Sequence, residues 1–162
     1  MITDTDLRHL RRCVELAAKA LEAGERPFAS VLVAADGRVL AEEHNRANSS
    51  GDPTRHPEFA LACWAATHMT PQERAAATVY TTGEHCPMCS AAHGLVGLGR
   101  IVYVSSAAQF TSWLVEFGAP KRVVNPIPIQ QLVPGIMVEG PIPELAEQMH
   151  DLQRRFFSKT LA

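Results

Sequence analysis

Two short stretches of this sequence hold residues whose types and spacing could do chemistry: His56-Pro57-Glu58 and Cys86-Pro87-Met88-Cys89. Zinc prefers imidazole and thiolate donors, and a catalytic zinc takes three protein ligands while leaving a fourth tetrahedral position to water. His56, Cys86 and Cys89 make such a set. Glu58 follows the histidine by two positions, close enough to address the same water without bonding the metal, which is the place of a general base.

Each stretch begins a helical pattern. From Pro57 the residues Phe59, Leu61, Ala62, Trp64 and Ala65 fall at helical spacing, and an Ala-rich helix is expected over Pro87–Leu98. Proline suits the first helical position because its missing N–H would have no intrahelical partner there. Cysteines in a first turn feel the positive end of the helix dipole, which lowers their pKa and favours thiolates as metal ligands.

The elements that must position these residues alternate. A first helix runs Asp6–Ala23, with Gly24 as its stop. Strands at Phe28–Ala34 and Val39–His44 flank Asp36-Gly37, a dipeptide suited to a tight hairpin turn. A polar loop spans Asn45–Thr54, and Thr70-Pro71-Gln72-Glu73 has the form of a capping box opening a short turn. Strands at Ala77–Thr82 and Arg100–Ser105 enclose the second motif's helix, so they are expected to pair in parallel. Beyond Ser105 the expectation is a short helix at Thr111–Phe117, a proline-punctuated stretch Pro120–Pro134, a strand Ile136–Glu139 and a last amphipathic helix Ile142–Phe157. The whole reads as one α/β domain over residues 1–162, a three-layer helix–sheet–helix sandwich with a mixed sheet of about five strands. Ligand sites in such folds gather at strand C-termini and helix N-termini, where both motifs fall.

Composition excludes some functions. The apolar share is 46% and the charged share 20%, with no run long enough to span a bilayer, so no membrane role is expected. The net charge of −2 argues against a broad phosphate-binding surface, making nucleic acid a disfavoured partner. The acidic start, Met1 to Asp6, is unlike a secretory leader, and four cysteines without one suggest a reducing compartment, so a cytoplasmic location is expected.

The two motifs together resemble the cytidine deaminase superfamily, and within it the guanine deaminase and tRNA adenosine deaminase branch. The likeness rests on Asp52-Pro53-Thr54-Arg55-His56-Pro57-Glu58 and Glu84-His85-Cys86-Pro87-Met88-Cys89 and spans about Pro27 to Ser105. It implies a Zn2+ cofactor and hydrolytic deamination of an aminated nucleobase or related heterocycle such as a triazine. In that chemistry Glu58 takes a proton from water polarised by zinc, then protonates the ring nitrogen and the leaving ammonia. Pro27-Phe28 and Asn45 also match the branch, implying that Phe28 walls the pocket and that Asn45 hydrogen-bonds the base. The family's acidic residue for guanine has one local counterpart, Glu116, an expected substrate contact that could equally be solvated. The C-terminal Arg154-Arg155-Phe156-Phe157 segment resembles the family's closing helix and implies a homodimer.

The chain departs from the family twice: Pro57 stands where alanine is usual, and His85 where proline is usual. The preferred substrate is a free base, with adenosine-to-inosine editing of tRNA as the alternative in the same chemistry. A protein with a purely structural zinc, using His44, His85 or His93 as a fourth ligand, is the alternative without turnover, and a redox Cys-x-x-Cys pair is a further one. Cys13 and Cys63 are expected in the core, and no function is assigned to His9, His68 or His150.

Overall fold

A computed structural model describes residues 1–160. The chain begins with α1 (Asp4–Glu22), whose Thr3 cap and Asp6 form a reciprocal capping box. A hairpin follows, β1 (Ala29–Val33) and β2 (Val39–His44), turning at Gly37 with φ of +86°. The stretch expected as plain loop contains a four-residue helix, α2 (Ala47–Ser50). After it come α3 (Pro57–His68), α4 (Pro71–Ala76), β3 (Thr78–Gly83), α5 (Pro87–Val96) and β4 (Arg100–Ser105). The remainder is α6 (Ala107–Glu116), α7 (Ile129–Leu132), β5 (Val138–Glu139) and α8 (Pro143–Thr160).

The five strands form one mixed sheet in the order β2-β1-β3-β4-β5. β1 is antiparallel to β2 and β3, whereas β3, β4 and β5 run parallel, as the strand-helix-strand reading requires. Alternation along the strands sends side chains to two cores. Ala29, Val31, Val33, Tyr80, Val102 and Val104 pack with α1, α6 and α8. Leu32 and Val79 pack on the other face with Leu61, Ala62 and Ala65 of α3. The three-layer sandwich follows from that period-two alternation.

Three sequence expectations shift. α6 starts at Ala107, ahead of Thr111, because Ser106 and Gln109 make a capping box that the apolar spacing does not reveal. α2 and α7 are single turns too short to carry a periodicity. Cys63 is exposed while Cys13 is buried: α3 buries Leu61, Ala62 and Ala65, and Cys63 lies on the opposite side of that helix. No helix among the described residues is long and apolar enough to cross a membrane.

Candidate metal centre and active site

The parallel half of the sheet brings both motifs to one end. His56 is the N-cap of α3, with Pro57 and Glu58 in the first turn, and Cys86 is the N-cap of α5, with Cys89 in its first turn. Both helices therefore aim their N-termini at the same point, where thiolates and a carboxylate are favoured. Pro57 occupies a first helical position, where no backbone hydrogen bond is lost.

The three predicted ligands meet. His56 Nδ1 lies 3.5 Å from Cys86 Sγ and 3.6 Å from Cys89 Sγ, and the two sulfurs are 3.5 Å apart. A tetrahedral zinc, with bonds of about 2.3 Å to sulfur and about 2.05 Å to nitrogen, requires edges of about 3.8 Å and about 3.6 Å. The donor set fits zinc in kind and in spacing. Among the described residues no other His, Cys, Asp or Glu joins this cluster. Three protein donors are the number found at catalytic rather than structural zinc.

The candidates for a fourth ligand are engaged or turned elsewhere. His44 Nδ1 contacts the Asn45 carbonyl at 2.8 Å, and His93 Nε2 contacts the Gly99 carbonyl at 2.8 Å. His85 is buried with both ring nitrogens unbonded and its ring edge-on to His93. Burial lowers the His85 pKa well below the usual imidazole value.

Electrostatics divide the two cysteines. The hydrogen bond with Cys89 holds the Cys86 thiol down to about 4 against the cost of burial, with His56 adding to the effect. The same bond and burial push Cys89 up, and the bond to Cys86 raises the His56 imidazole. Glu58 is buried, and desolvation raises its carboxyl above the ordinary range. Its Oε2 lies 3.7 Å from Cys89 Sγ, and its Oε1 accepts from Thr81 Oγ1 at 3.0 Å.

Asn45 is buried at the end of β2. Its Oδ1 accepts from the Ala47 N–H at 3.0 Å, which fixes the side chain and leaves the amide NH2 to donate. The loop carrying Asn45 toward His56 is held by Glu25, a fully buried carboxylate that accepts from the backbone N–H groups of Asn48 and Ser49 at 2.9 and 2.8 Å. Phe28 lies close enough to Gly83 that a Cβ there would come within 2.9 Å of one edge of its ring, and it meets Phe110 edge-on at 5.2 Å. Gln153 of α8 donates to the Pro27 carbonyl at 2.9 Å and so anchors the residue preceding Phe28.

Glu116, the expected substrate contact, is engaged with a histidine. It ends α6 with a side chain 56% exposed and contacts His150 Nε2 of α8 at 3.0 Å. The nearest apolar faces of α6 and α8 pack on each other, and this pair sits at their solvent edge. The His150 ring also packs against the rings of Trp113 and Phe117. His9 lies against Tyr80 and His68 stacks on Trp64, neither near the donor cluster's bonding.

Known proteins are similar to this chain in sequence and in fold. Residues 3–105 match the family described as the cytidine and deoxycytidylate deaminase zinc-binding region. The chain is 38% identical over 94 residues to the tRNA-specific adenosine deaminase of Agrobacterium fabrum, covering 56% of this chain and 61% of that protein. It is 37% identical over 102 residues to the guanine deaminase of Bacillus subtilis, covering 62% of this chain and 60% of that one. The match thus spans about three fifths of the length of these relatives. Among solved structures, guanine deaminase from Nitrosomonas europaea superposes with a TM-score of 0.72 at 14% identity, covering 98% of this chain and 86% of that one, a likeness of fold alone. A tRNA:A34 deaminase superposes with a TM-score of 0.62 at 25% identity, covering 90% of this chain and 99% of that one. With the family region spanning most of the sheet and every zinc donor, the chain belongs to the cytidine and deoxycytidylate deaminase family.

Proposed function

We propose that this chain catalyses the hydrolytic deamination of an aminated nucleobase, exchanging the exocyclic amine for oxygen from water and releasing ammonia. One observation carries the reading: the Glu58 carboxylate is buried in the first turn of α3, 3.7 Å from a sulfur of the three-donor cluster. His56, Cys86 and Cys89 would hold a zinc ion, and the positive charge it would supply there lowers the pKa of water toward neutrality.

Glu58 carries the protons. It accepts one from water, delivers it to the ring nitrogen as oxygen adds to the amine-bearing carbon, and relays a second to the amine as ammonia leaves. Its raised pKa suits a group that must both take and return a proton near neutrality. Asn45 donates its amide N–H to an acceptor on the base, since its oxygen is already committed to Ala47. Phe28, held on Gly83, walls the pocket. Glu116 has no part in this reading, because its contacts run to His150.

The relatives named for guanine and for adenosine in tRNA share an aminated base, and that moiety is the substrate element this site is suited to. The test is ammonia release by zinc-loaded protein on a panel of free bases, nucleosides and nucleotides, with Glu58→Gln as control. The expected result is turnover that falls by about 10²–10⁴ in the variant while bound zinc is retained. Zinc binding with no ammonia from any panel member would instead mark a structural metal.

A further inference from the structure

Gln153 is a polar side chain set in an apolar core. It lies on α8 with Met149, Leu152, Phe156 and Phe157, is 0% exposed, and has no hydrogen-bond donor at its Oε1. A buried acceptor left unmet costs stability, so an apolar side chain of the same volume would suit this core better than the amide does. What the amide contributes lies at its other end. Nε2 donates to the Pro27 carbonyl at 2.9 Å, 126 residues back in the chain.

That carbonyl lies beyond the reach of the sheet, because β1 begins at Ala29 and Pro27 is buried just before it. Pro27 is the middle of a three-residue turn in which the Phe28 N–H donates to the Arg26 carbonyl at 2.8 Å, and the fixed φ of proline suits that position. The Phe28 carbonyl in turn accepts from the Asn45 N–H at 2.8 Å. One bond from α8 therefore holds the turn from which both expected base contacts, the Phe28 ring and the Asn45 amide, take their direction. The same helix holds the turn a second time, since the Arg26 guanidinium lies 5.4 Å from the centre of Phe157 and 5.8 Å from that of Phe156. Beyond the turn the Phe28 ring is bounded by Phe110 and by Gly83, which ends β3 three residues before Cys86.

We propose that Gln153 is a positioning residue for base selection: by holding the Pro27 carbonyl it sets the Phe28 wall and the Asn45 amide against the base, so that the last helix tunes which aminated ring is accepted. This rests on the deaminase reading above and deepens it. The helix lies outside residues 3–105, the region matched to the family, whereas the zinc donors and Glu58 lie inside it. Glu58 is oriented separately, by Thr81 and the first turn of α3. Gln153 thus acts on how the base is gripped and not on the proton transfers.

The test is Gln153→Met, which keeps the volume of the side chain and removes both the donor and the unmet acceptor. Ammonia release by zinc-loaded protein is measured on guanine, adenine and cytosine as free bases and as nucleosides, and on an RNA stem-loop, with amide hydrogen exchange over residues 26–47 and the thermal midpoint alongside. The expected result is a KM for the preferred substrate raised about three- to tenfold, a kcat changed less than about twofold, and a narrower spread of kcat/KM among the bases. Exchange should quicken at the Phe28 and Asn45 N–H groups while the thermal midpoint changes little. In a Phe28→Leu background the same substitution should move KM less than about twofold, because the wall it positions is gone. Gln153→Asn, which retracts the amide by one methylene, gives the same comparison if the Met variant does not fold. A lowered thermal midpoint with KM and base preference unmoved would make Gln153 a packing residue, and an undiminished effect in Phe28→Leu would break the link to the wall. Either outcome overturns the proposal, while turnover by the parent leaves the deaminase reading standing. A parent protein that releases no ammonia from any of these substrates overturns both.

Discussion

The Thr81 hydroxyl donates to Glu58 Oε1 at 3.0 Å and itself accepts from Ser30 Oγ at 2.9 Å. Ser30 and Thr81 are fully buried on adjacent strands, so a short hydrogen-bonded chain runs through the sheet into the first turn of α3. The sheet thereby orients the carboxylate that the proposed chemistry depends on. Burial raises the Glu58 pKa and the Thr81 bond opposes the rise.

Thr81→Val is expected to remove that opposition. Glu58 must be ionised to accept a proton, so activity falls as the pH drops through its pKa, and raising that pKa moves the acidic limb of the kcat/KM profile to higher pH. Loss of a hydrogen bond to a charged group, about 1.5–3 kcal/mol, implies a fall in kcat of about tenfold or more at neutral pH. Bound zinc should be unchanged. A pH profile that coincides with the unsubstituted protein's would show that Thr81 serves packing alone.

Glu25→Gln tests the loop. The buried carboxylate satisfies two N–H groups of α2, and an amide in its place turns at least one donor toward another donor. Hydrogen exchange should rise over residues 47–52, with α8 unaffected, and KM should rise more than kcat falls because Asn45 loses its fixed aim. Unchanged protection of that segment would remove Glu25 from the account.

Much of this was legible from the sequence, and the pattern of what was not has physical causes. His56, Cys86 and Cys89 could be named because metal ligands obey a chemical preference and a local spacing. The parallel pairing of β3 and β4 followed from the helix between them, and the three-layer fold from alternating elements. Glu25, Ser30, Thr81 and Gln153 were not legible, since each acts on a partner distant in the chain, and only the fold brings Glu25 to Ser49 or Gln153 to Pro27. The contact of Glu116 with His150 was likewise not legible, since nearness in sequence to a family position does not report which way a side chain at a helix end turns.

The pair of Asp6 and Arg100 should set the acid limit of stability. Burial disfavours the Asp6 carboxylate, but Arg100, Tyr80 and Thr3 all donate to it and hold its pKa below the usual carboxylate range. A depressed carboxyl contributes its full stabilisation above the unfolded value of about 4 and loses it as the pH falls toward the folded value. Asp6→Asn leaves Arg100 with Glu139 as its one carboxylate partner and weakens its hydrogen bonds at position 6, and should cost about 1.5–3 kcal/mol at pH 7 by urea denaturation. The gap between variant and parent should narrow below about pH 4. A gap constant from pH 7 to pH 3 would mean that the effect is steric.

Chelation is expected to loosen the structure as well as stop any reaction. The donors cap two separate helices, so a metal shared among them ties α3 to α5 at the end of the sheet where both begin. Binding that metal requires deprotonated sulfurs and a neutral His56 Nδ1, and the bond to Cys86 raises the His56 pKa, so protons compete from a higher pH than for a free imidazole. Zinc measured by a colorimetric chelator should be stoichiometric near pH 8 and released progressively as the solution is acidified below neutrality. Cys89→Ala should lose the metal and lower the thermal midpoint, whereas Cys63→Ser, on the exposed side of α3, should do neither. Full zinc occupancy in Cys89→Ala would contradict the three-donor geometry, because the remaining two ligands cannot hold a tetrahedral ion at these spacings with comparable affinity.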